Sequence, residues 1–433
     1  VMKNVKVILI IFILLFSSII LFNKVSGAYF TYESSVNGSI KTIEDTGGSI
    51  PGGDPDYSSG LTRNFMSRAD ITKDHVKTIK FSNVLTKATS GWTTKVVDVS
   101  ERYDGKVKMK YTPNKDNDDF YDVEISQNGG VSLNTGNADW MFSRFENLEE
   151  IDFDNFKGES ISSMAYMFEN SSVLKKINFR NFNSSNVSNM RYAFNNCYGL
   201  ETLDLSSFDT SKVTDMSGLF SGDDYLYKLD ISNFNTSKVE NMDNMFRDAK
   251  SIESITFGSK FNTSKVISMA SMFNDAPKLK SLDLSNFDTS NVIDMNSMFN
   301  YTLSLSSLKF GHNFVTDKVE YMMMMFVGTC SLDSLDLSTF KTTKLTDVTK
   351  MFALLDWDNI SFECLNGDKL KNIYVSEDFD ISNINQSADI FTGRKNLRGG
   401  AGSFLTNPST ADKSWLRIDD PIHGRPGYFT RKP

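Results

Sequence analysis

One pattern of apolar and polar positions returns along most of this 433-residue chain. Its clearest copy covers residues 200–220, LETLDLSSFDTSKVTDMSGLF. A phenylalanine closes each copy, and successive ones are separated by 26, 26, 26, 26, 27, 26, 27, 26 and 39 residues. These residues are Phe142, Phe168, Phe194, Phe220, Phe246, Phe273, Phe299, Phe326, Phe352 and Phe391. A period this steady predicts a solenoid, here of nine units with a half unit at Phe142.

The hydrophobic period changes inside each unit, and the change predicts its elements. Leu203 and Leu205 alternate with polar residues, which predicts a strand with one buried face. A corner rich in Asp, Thr and Ser follows, with Ser211 as the expected cap of a helix. The next apolar residues are spaced i, i+3, i+6 and i+7, as on one helix face. They are Val213, Met216, Leu219 and Phe220.

Stacked units of this kind predict an α/β solenoid with a parallel sheet on one face and short helices on the other. Methionine fills many of the predicted helix positions, for example Met216 and Met242. Two interpretations exist, a metal-binding or promiscuous stripe and flexible gap-fillers of the core, and the sequence favours the second.

Two units, LETLDLSSFDTSKVTDMSGLF and LKSLDLSNFDTSNVIDMNSMF, carry a family resemblance. With the flanking MSRADITKDHVKTIKF, VVDVSERYDG, WLRIDDP and PGYFT, the chain resembles the BspA-like leucine-rich-repeat surface proteins of bacteria over about residues 61–430. The resemblance implies a leucine-rich-repeat-type solenoid, secreted or displayed on the cell surface, that serves adhesion or partner binding. The chain departs from the family pattern in its cysteine position, which is kept only at Cys197.

The remaining segments predict how the chain is organised. Residues 1–27 read as a signal peptide, with a retained membrane anchor as the alternative. Residues 28–60 read as a flexible linker, 61–137 as a β-rich N-terminal cap, 138–398 as the solenoid and 399–433 as a C-terminal cap. We therefore expect a secreted or cell-surface protein.

Two local departures interrupt the solenoid pattern. Extra residues at Gly258 and Gly311 predict bulges after the strand. Residues 353–364 form an insertion whose aromatic residues Trp357 and Phe362 fit either a lid or a binding loop. A disulfide between Cys330 and Cys364 is left open by the sequence.

Composition and charge exclude several functions. The net charge is −8, and no basic patch lies between the N-terminal segment and the tail, which argues against nucleic-acid binding. The histidines at 75, 312 and 423 lie far apart, without metal-ligand spacing. No nucleophile elbow, zinc-protease pair or phosphate loop is present, so we predict no enzyme activity, no cofactor and no metal.

The outward residues of the predicted sheet are the candidate binding site. They form an acidic stripe that either bonds to the corner hydroxyls of adjacent coils or receives a basic protein or a cation. The candidates, with the insertion, are Asp152, Asp204, Asp230, Asp283, Asp336, Tyr374, Trp357 and Phe362. We predict a monomeric recognition protein for an extracellular protein or glycan. The alternatives are a structural envelope protein and, less favoured, a carbohydrate-active enzyme.

Overall fold

The structure is a computed structural model that describes residues 61–87, 94–133, 135–354, 364 and 367–433. The described residues all lie in the second of two compact units, Asp54–Pro433. The predicted signal peptide and linker lie outside the described residues, and the domain boundaries stay predictions.

The described part of the second unit is built from short strands and turns. Its strands are β1 Val76–Ser82, β2 Lys95–Asp98, β3 Val107–Pro113, β4 Tyr121–Gln127, β5 Val131–Ser132, β6 Glu150–Asp152, β7 Phe156–Lys157, β8 Lys176–Asn178, β9 Lys228–Ile231, β10 Ser254–Phe257, β11 Ser281–Leu284, β12 Ser307–Phe310, β13 Ser334–Asp336, β14 Asn372–Val375 and β15 Phe429–Arg431. Short 3-10 helices lie at Phe65–Arg68, Lys73–His75, Pro408–Thr410, Lys413–Trp415 and Pro421–His423.

The N-terminal strands join directly to the first coils of the solenoid. One sheet has the order β2-β3-β4-β1-β6-β8, in which β2, β3 and β4 are antiparallel neighbours and the others pair in parallel. At the other end, β15 pairs in parallel with β14, which pairs with β13. Both ends of the strand array are therefore covered by residues outside the repeats, as a stack of repeats requires.

Strand pairing along the sheet side is interrupted three times. Strand β9 pairs with β10 and β11 with β12, but neither pair joins its neighbours. Residues 201–205, where the sequence pattern was clearest, form no strand and pair with neither β8 nor β9. Leu203 and Leu205 are nevertheless buried and Asp204 is exposed, so the predicted alternation is present without the predicted ladder.

The prediction of helices on the opposite face is wrong. Residues 138–354, all of which the structure describes, contain no helix. We call residues 137–144 and their equivalents in later coils the turn side. There, every second amide bonds to the next coil, as Phe168 does to the Ala193 carbonyl at 2.9 Å. The amides between them close turns within the coil, as Met167 does to the Met164 carbonyl at 3.2 Å. Turns from i to i+3 thus produce the spacing that resembled a helix face.

In most coils, two left-handed residues make this turn geometry. They lie two residues before and two after the closing phenylalanine, as Tyr166 (φ 57°) and Asn170 (φ 58°) do around Phe168. Gly218 (φ 59°) and Gly222 (φ 75°) hold the same places in a later coil. A helix cannot contain such residues, because its φ angles are all negative.

The predicted core positions are confirmed even though the helix is not. The closing phenylalanines form one buried column in which neighbouring ring centroids lie 5.3–5.8 Å apart. Val213, Met216, Leu219 and Phe220 are fully buried. The methionines of this face, such as Met242, are buried too, which agrees with a gap-filling role.

A ladder of single parallel bridges runs along the turn side without a break. Its members are Asn137, Ser163, Asn189, Asp215, Asn241, Ser268, Asp294, Tyr321, Asp347 and Gln386. An Asn or Asp here accepts the amide two residues on, as Asn241 does from Asp243 at 2.9 Å. In the Ser268 coil, the acceptor comes from the preceding coil. Asp243 Oδ1 accepts hydrogen bonds from both the Ser268 hydroxyl and the Ala270 amide. Asp139 serves the Ser163 coil in the same way. Some neighbouring coils are thus complementary pairs.

The two inserted glycines have a reason other than a bulge. The ladder of β10 with β9 stays in register up to Phe257, and that of β12 with β11 up to Phe310. A Cβ on Gly258 would lie 1.8 Å from the Ser232 carbonyl oxygen, so this backbone needs glycine to approach the preceding coil. Gly311 meets the Ser285 carbonyl in the same way.

The C-terminal coils are held by a disulfide and a buried arginine. Cys330 and Cys364 are disulfide-bonded, which ties the end of the insertion to the preceding coil. Arg394 is fully buried and pairs with Asp368 at 2.7 Å. Its guanidinium also donates to the Phe352 carbonyl at 2.7 Å, so it satisfies backbone acceptors where the insertion interrupts the coils.

Candidate functional site

The outward positions in the middle of the strands form a column on the sheet side. Where the strands pair, an aspartate never faces another aspartate. Asp152 faces Asn178, Asp230 faces Thr256, Asp283 faces Lys309, and Asp336 faces Tyr374. Asp204 and Asp230 would be the exception, but the ladder between their coils is absent. The aspartates are therefore not a continuous stripe of paired carboxylates.

Each of these aspartates bonds first to its own coil. Asp204 Oδ1 accepts the Ser206 amide at 2.9 Å, and Asp230 Oδ1 accepts the Ser232 amide at 2.9 Å. Such turns explain why Asp ends the strand, since the side chain satisfies the amide of the corner that follows. The hydrogen bonds from the serine side chains and amides hold the pKa values of Asp204 and Asp230 below the usual range. Both carboxylates are therefore ionised at neutral pH.

The same local bond recurs at the other predicted positions. Asp283 Oδ1 accepts the Ser285 amide at 2.9 Å, Asp336 Oδ1 accepts the Ser338 amide at 3.1 Å, and Asp152 Oδ1 accepts the Asp154 amide at 3.0 Å. These aspartates thus bond to corner groups, but the partner is an amide of the same coil rather than a hydroxyl of the adjacent coil.

Ion pairs between neighbouring coils neutralise much of the acidic column. Lys309 Nζ lies 3.2 Å from Asp283, and Lys432 Nζ lies 2.6 Å from Asp336. At the preceding outward position of the strands, two residues before Asp152, Glu150 pairs with Lys176 at 2.6 Å. Among the described residues, no lysine or arginine pairs with Asp204 or Asp230. Asp152 also has no lysine or arginine partner among these residues, but Asp204 and Asp230 are adjacent members of the column, so the uncompensated negative charge is densest at the middle of the sheet side.

A cleft of about 350 Å³ opens where the ladder is missing. Its walls are Asn178 and Arg180 from one coil and Asp204, Ser206 and Ser207 from the next. Ser207 Oγ donates a hydrogen bond to the Phe179 carbonyl at 2.9 Å, and this bond joins the two coils at this corner. We call this the central cleft. It combines one cation, one carboxylate and strand backbone without ladder partners.

The structure places the predicted site residues unequally. Asp204 lines the central cleft, and Asp230 lies in the next coil. Tyr374 is half-buried, with Lys432 Nζ 5.5 Å from its ring centroid. Trp357 and Phe362 lie outside the described residues, so the lid and the binding loop both stay hypotheses. Sequence reasoning missed Arg180 and Ser207, because only the missing strand pairing brings them to a cleft.

Metal-binding chemistry finds little support in the described residues. Within them, no group of three or more His, Cys, Asp and Glu side chains is arranged to hold a metal ion. His75 contacts the Thr72 hydroxyl at 2.8 Å and His423 contacts Asp420 at 2.8 Å, both at exposed turns. These contacts are local, within three residues of each histidine.

Parallel strands, an unbroken inter-coil ladder and a buried phenylalanine column define a repeat protein of the solenoid class. A family model described as "Mycoplasma protein of unknown function, DUF285" matches residues 136–256, 222–312, 252–359 and 311–404, together more than half of the chain. The protein belongs to this family. The finer resemblance to BspA-like proteins stays a prediction.

Similarity beyond this family is weak. No curated protein matches the chain. The crystal structure of a TLR13–ssRNA13 complex is similar at 12% identity and a TM-score of 0.17, covering 60% of this chain and 49% of that one. The chain thus spans about half the length of that protein, and a likeness this low carries no inference. Among the described residues, none of the helices has the length and apolar character needed to cross a membrane.

Proposed function

We propose that this protein is an exported, non-catalytic recognition protein that binds an extracellular protein through the sheet side, centred on the central cleft. The observation that carries the proposal is the coincidence of two features. The ladder is interrupted at residues 201–205, and the uncompensated carboxylates Asp204 and Asp230 lie at the same place.

The chemistry of the cleft favours an extended, basic segment of a partner. The cleft lies between two neighbouring coils, so its polar groups are open to a side chain of a partner whose backbone lies across them. The two ionised carboxylates select lysine or arginine beside that backbone. Arg180, on the other wall, repels a second cation and so favours a segment with an acidic or neutral residue at that side.

Neighbouring coils support this choice of location. At Asp283 and Asp336, ion pairs with Lys309 and Lys432 already occupy the carboxylates. A partner would have to break these ion pairs before it could bind the carboxylates. Replacing one exposed ion pair by another gains little free energy. The centre is the part of the face where a partner charge meets no internal competitor.

The test is binding of the full chain to a panel of purified extracellular-matrix proteins by surface plasmon resonance. The variant Asp204→Lys/Asp230→Lys should weaken a basic partner at least tenfold at low salt. The loss should shrink as salt is added, because exposed charges are screened. The affected rate should be association, since these carboxylates are exposed rather than buried.

A matched control is available at the other end of the chain. Asp380 and Asp412 are exposed, and each accepts the amide of the serine two residues on, at 2.9 and 2.8 Å. The variant Asp380→Lys/Asp412→Lys makes the same charge change and should leave binding unchanged. The proposal fails if no matrix protein binds the parent, or if both double variants weaken binding equally.

Export is a separate part of the proposal and has its own test. The motivating pattern is the basic, then apolar, then small-residue order of residues 1–28. N-terminal sequencing of the protein recovered outside the cells should give a mature chain that begins near Ala28. A chain that still begins at Met2 and fractionates with membranes would instead indicate a retained anchor.

A further inference from the structure

A second cavity lies at the N-terminal end of the turn side, away from the sheet. Its volume is about 450 Å³. The segment 63–67 and Lys73 form one wall, and Asp139, Trp140 and Ser143 of the first coil form the other. The N-terminal segment takes the place that a preceding coil would occupy, since Arg63 bonds to Asn137 at 2.9 Å and Lys73 to the Ser143 carbonyl at 2.9 Å.

An aromatic stack ends in this cavity. Trp140 and Tyr166 lie 5.1 Å apart with an angle of 2° between their rings, and Tyr166 and Tyr192 lie 5.4 Å apart at 5°. The far end of the stack is closed by Gly218, where an added Cβ would lie 2.0 Å from the Tyr192 ring. Among the described residues, no aromatic ring stacks on the outer face of Trp140, and Trp140 is 53% exposed.

These aromatic residues occupy backbone positions that do not favour them. Trp140, Tyr166 and Tyr192 have φ values of 56°, 57° and 51°. Bulky side chains rarely adopt left-handed φ, and later coils hold Gly218 and Asn244 at the same place. Left-handed φ at this position belongs to the turn geometry of all the described coils, so the distinguishing feature of these three is the aromatic side chain. The stack is thus a rigid aromatic platform that folding alone does not require.

Polar groups surround the platform in fixed positions. Asp139 Oδ1 accepts the Ala165 amide at 2.8 Å and the Ser163 hydroxyl at 2.5 Å, which holds the carboxylate beside Trp140. Arg63 is held by its single bond to Asn137, and its guanidinium has further N–H donors to offer. A carboxylate and a guanidinium therefore frame an aromatic face within one cavity.

We infer that this cavity binds a hexopyranose residue of a glycan. A pyranose carries an apolar C–H face, which packs on the electron-rich face of an indole, and hydroxyls around its rim. Adjacent hydroxyls of the sugar can donate hydrogen bonds to the planar carboxylate of Asp139 and accept them from the planar guanidinium of Arg63. Arg63 and Lys73 would attract a small anion, but Asp139 would oppose it and the indole face of Trp140 would stay unused, so a pyranose uses more of the cavity. This site is separate from the central cleft and does not depend on the proposed function.

The test is saturation-transfer NMR and calorimetry of the full chain with methyl β-D-glucopyranoside and methyl β-D-galactopyranoside. Binding in the millimolar range is expected, with transfer strongest to the C–H protons of one pyranose face. Trp140→Asn should weaken binding at least tenfold. The thermal unfolding midpoint should not fall, since Asn tolerates left-handed φ better than Trp. Tyr225→Asn, at a 61% exposed aromatic residue outside the cavity, should bind as the parent does.

Three results would overturn the inference. The first is the absence of saturation transfer from both sugars to the parent protein. The second is sugar binding by Trp140→Asn that equals that of the parent. The third is displacement of the sugar from the parent by sodium sulfate, together with sulfate binding by Trp140→Asn. The cavity would then be an anion site. Binding of matrix proteins at the central cleft would stand or fall independently of all three.

Discussion

The sheet side and the turn side of each coil hold their neighbours in different ways. On the turn side, an inter-coil bridge is present in every coil from Asn137 to Gln386. On the sheet side, the ladder stops around residues 201–205 and again after β10 and after β12. The turn side thus sets the spacing of the coils. The sheet side is therefore free to lose pairing, and its outward residues can serve recognition.

The acids of the two sides also differ in their electrostatics. Burial raises the pKa values of Asp243 and Asp294 on the turn side to about 6, although bonds from Ser268 and the backbone oppose the shift at Asp243. On the sheet side, serine hydrogen bonds lower the pKa values of Asp204 and Asp230. One side contains carboxylates that cost stability when ionised, and the other contains carboxylates that folding favours as anions.

The largest expected effect comes from emptying the phenylalanine column. Phe220 lies 5.8 Å from Phe194 and 5.7 Å from Phe246, centroid to centroid, and is fully buried. Phe220→Ala should lower the free energy of unfolding by about 3–5 kcal/mol. Leu205→Ala, on the interrupted sheet side, should cost nearer the lower end of about 2–5 kcal/mol. Denaturant unfolding followed by circular dichroism compares the two variants. Equal unfolding midpoints would contradict the prediction that Phe220 contributes more stability than Leu205.

The second effect concerns the buried arginine beside the last coils. Arg394→Met leaves the buried Asp368 carboxylate without its cation and should cost roughly 3–4 kcal/mol. Because the penalty comes from the unpaired charge, adding Asp368→Asn should recover part of it. A double-mutant cycle in denaturant measures this coupling. Strictly additive losses would show that the ion pair contributes nothing beyond packing.

A smaller effect should separate the two sides by pH. Asp294 has a raised pKa of about 6 against an ordinary 3.8, so its protonated form is favoured by folding. The stability that this proton contributes is fully present below the ordinary value and is lost as pH rises through about 6. Asp294→Asn stays neutral and keeps an oxygen for the Asn296 amide. It should therefore stabilise the protein by about 1–2 kcal/mol at neutral pH, and not at acidic pH.

The matched sheet-side variant should behave in the opposite sense. Asp204 has a lowered pKa, so its contribution is present above the ordinary value and is lost as pH falls through the lowered one. Asp204→Asn should therefore slightly destabilise the protein at neutral pH and lose its effect in acid. Unfolding midpoints of both variants across the pH range provide the measurement. Shifts of the same sign would contradict the electrostatic difference between the sides.

The period and the buried positions were predictable from the sequence, but the turn side was not assigned correctly. Successive i to i+3 turns and an α-helix both place apolar residues three apart, so the spacing of Val213, Met216 and Leu219 does not distinguish them. A signal was available two residues after the closing phenylalanine. Asn, Asp or Gly stands there in most units. The members are Asn170, Asn196, Gly222, Asp248, Asp275, Gly328 and Gly393. These residue types favour left-handed φ, which ends a helix.

The candidate site was predictable only in part, for a different physical reason. Alternation along a strand identifies Asp204 and Asp230 as outward residues, and the structure agrees. Which carboxylates remain uncompensated depends on the register between coils that are 26 or 27 residues apart. The repeat period already places Lys309 next to Asp283, but it does not show which of the neighbouring side chains form an ion pair. The break in pairing that forms the central cleft has no counterpart in the repeat pattern.

The complementary coils on the turn side bear on how such an array lengthens during evolution. The Ser268 coil depends on Asp243 of the coil before it for an acceptor, and the Ser163 coil depends on Asp139 likewise. Copying a serine coil alone would leave the amide at the Ala270 position without its partner, which is a costly loss. Gene duplication that copies two coils together avoids this defect. In these parts of the array, duplication of a pair of coils therefore costs less stability than duplication of the serine coil alone.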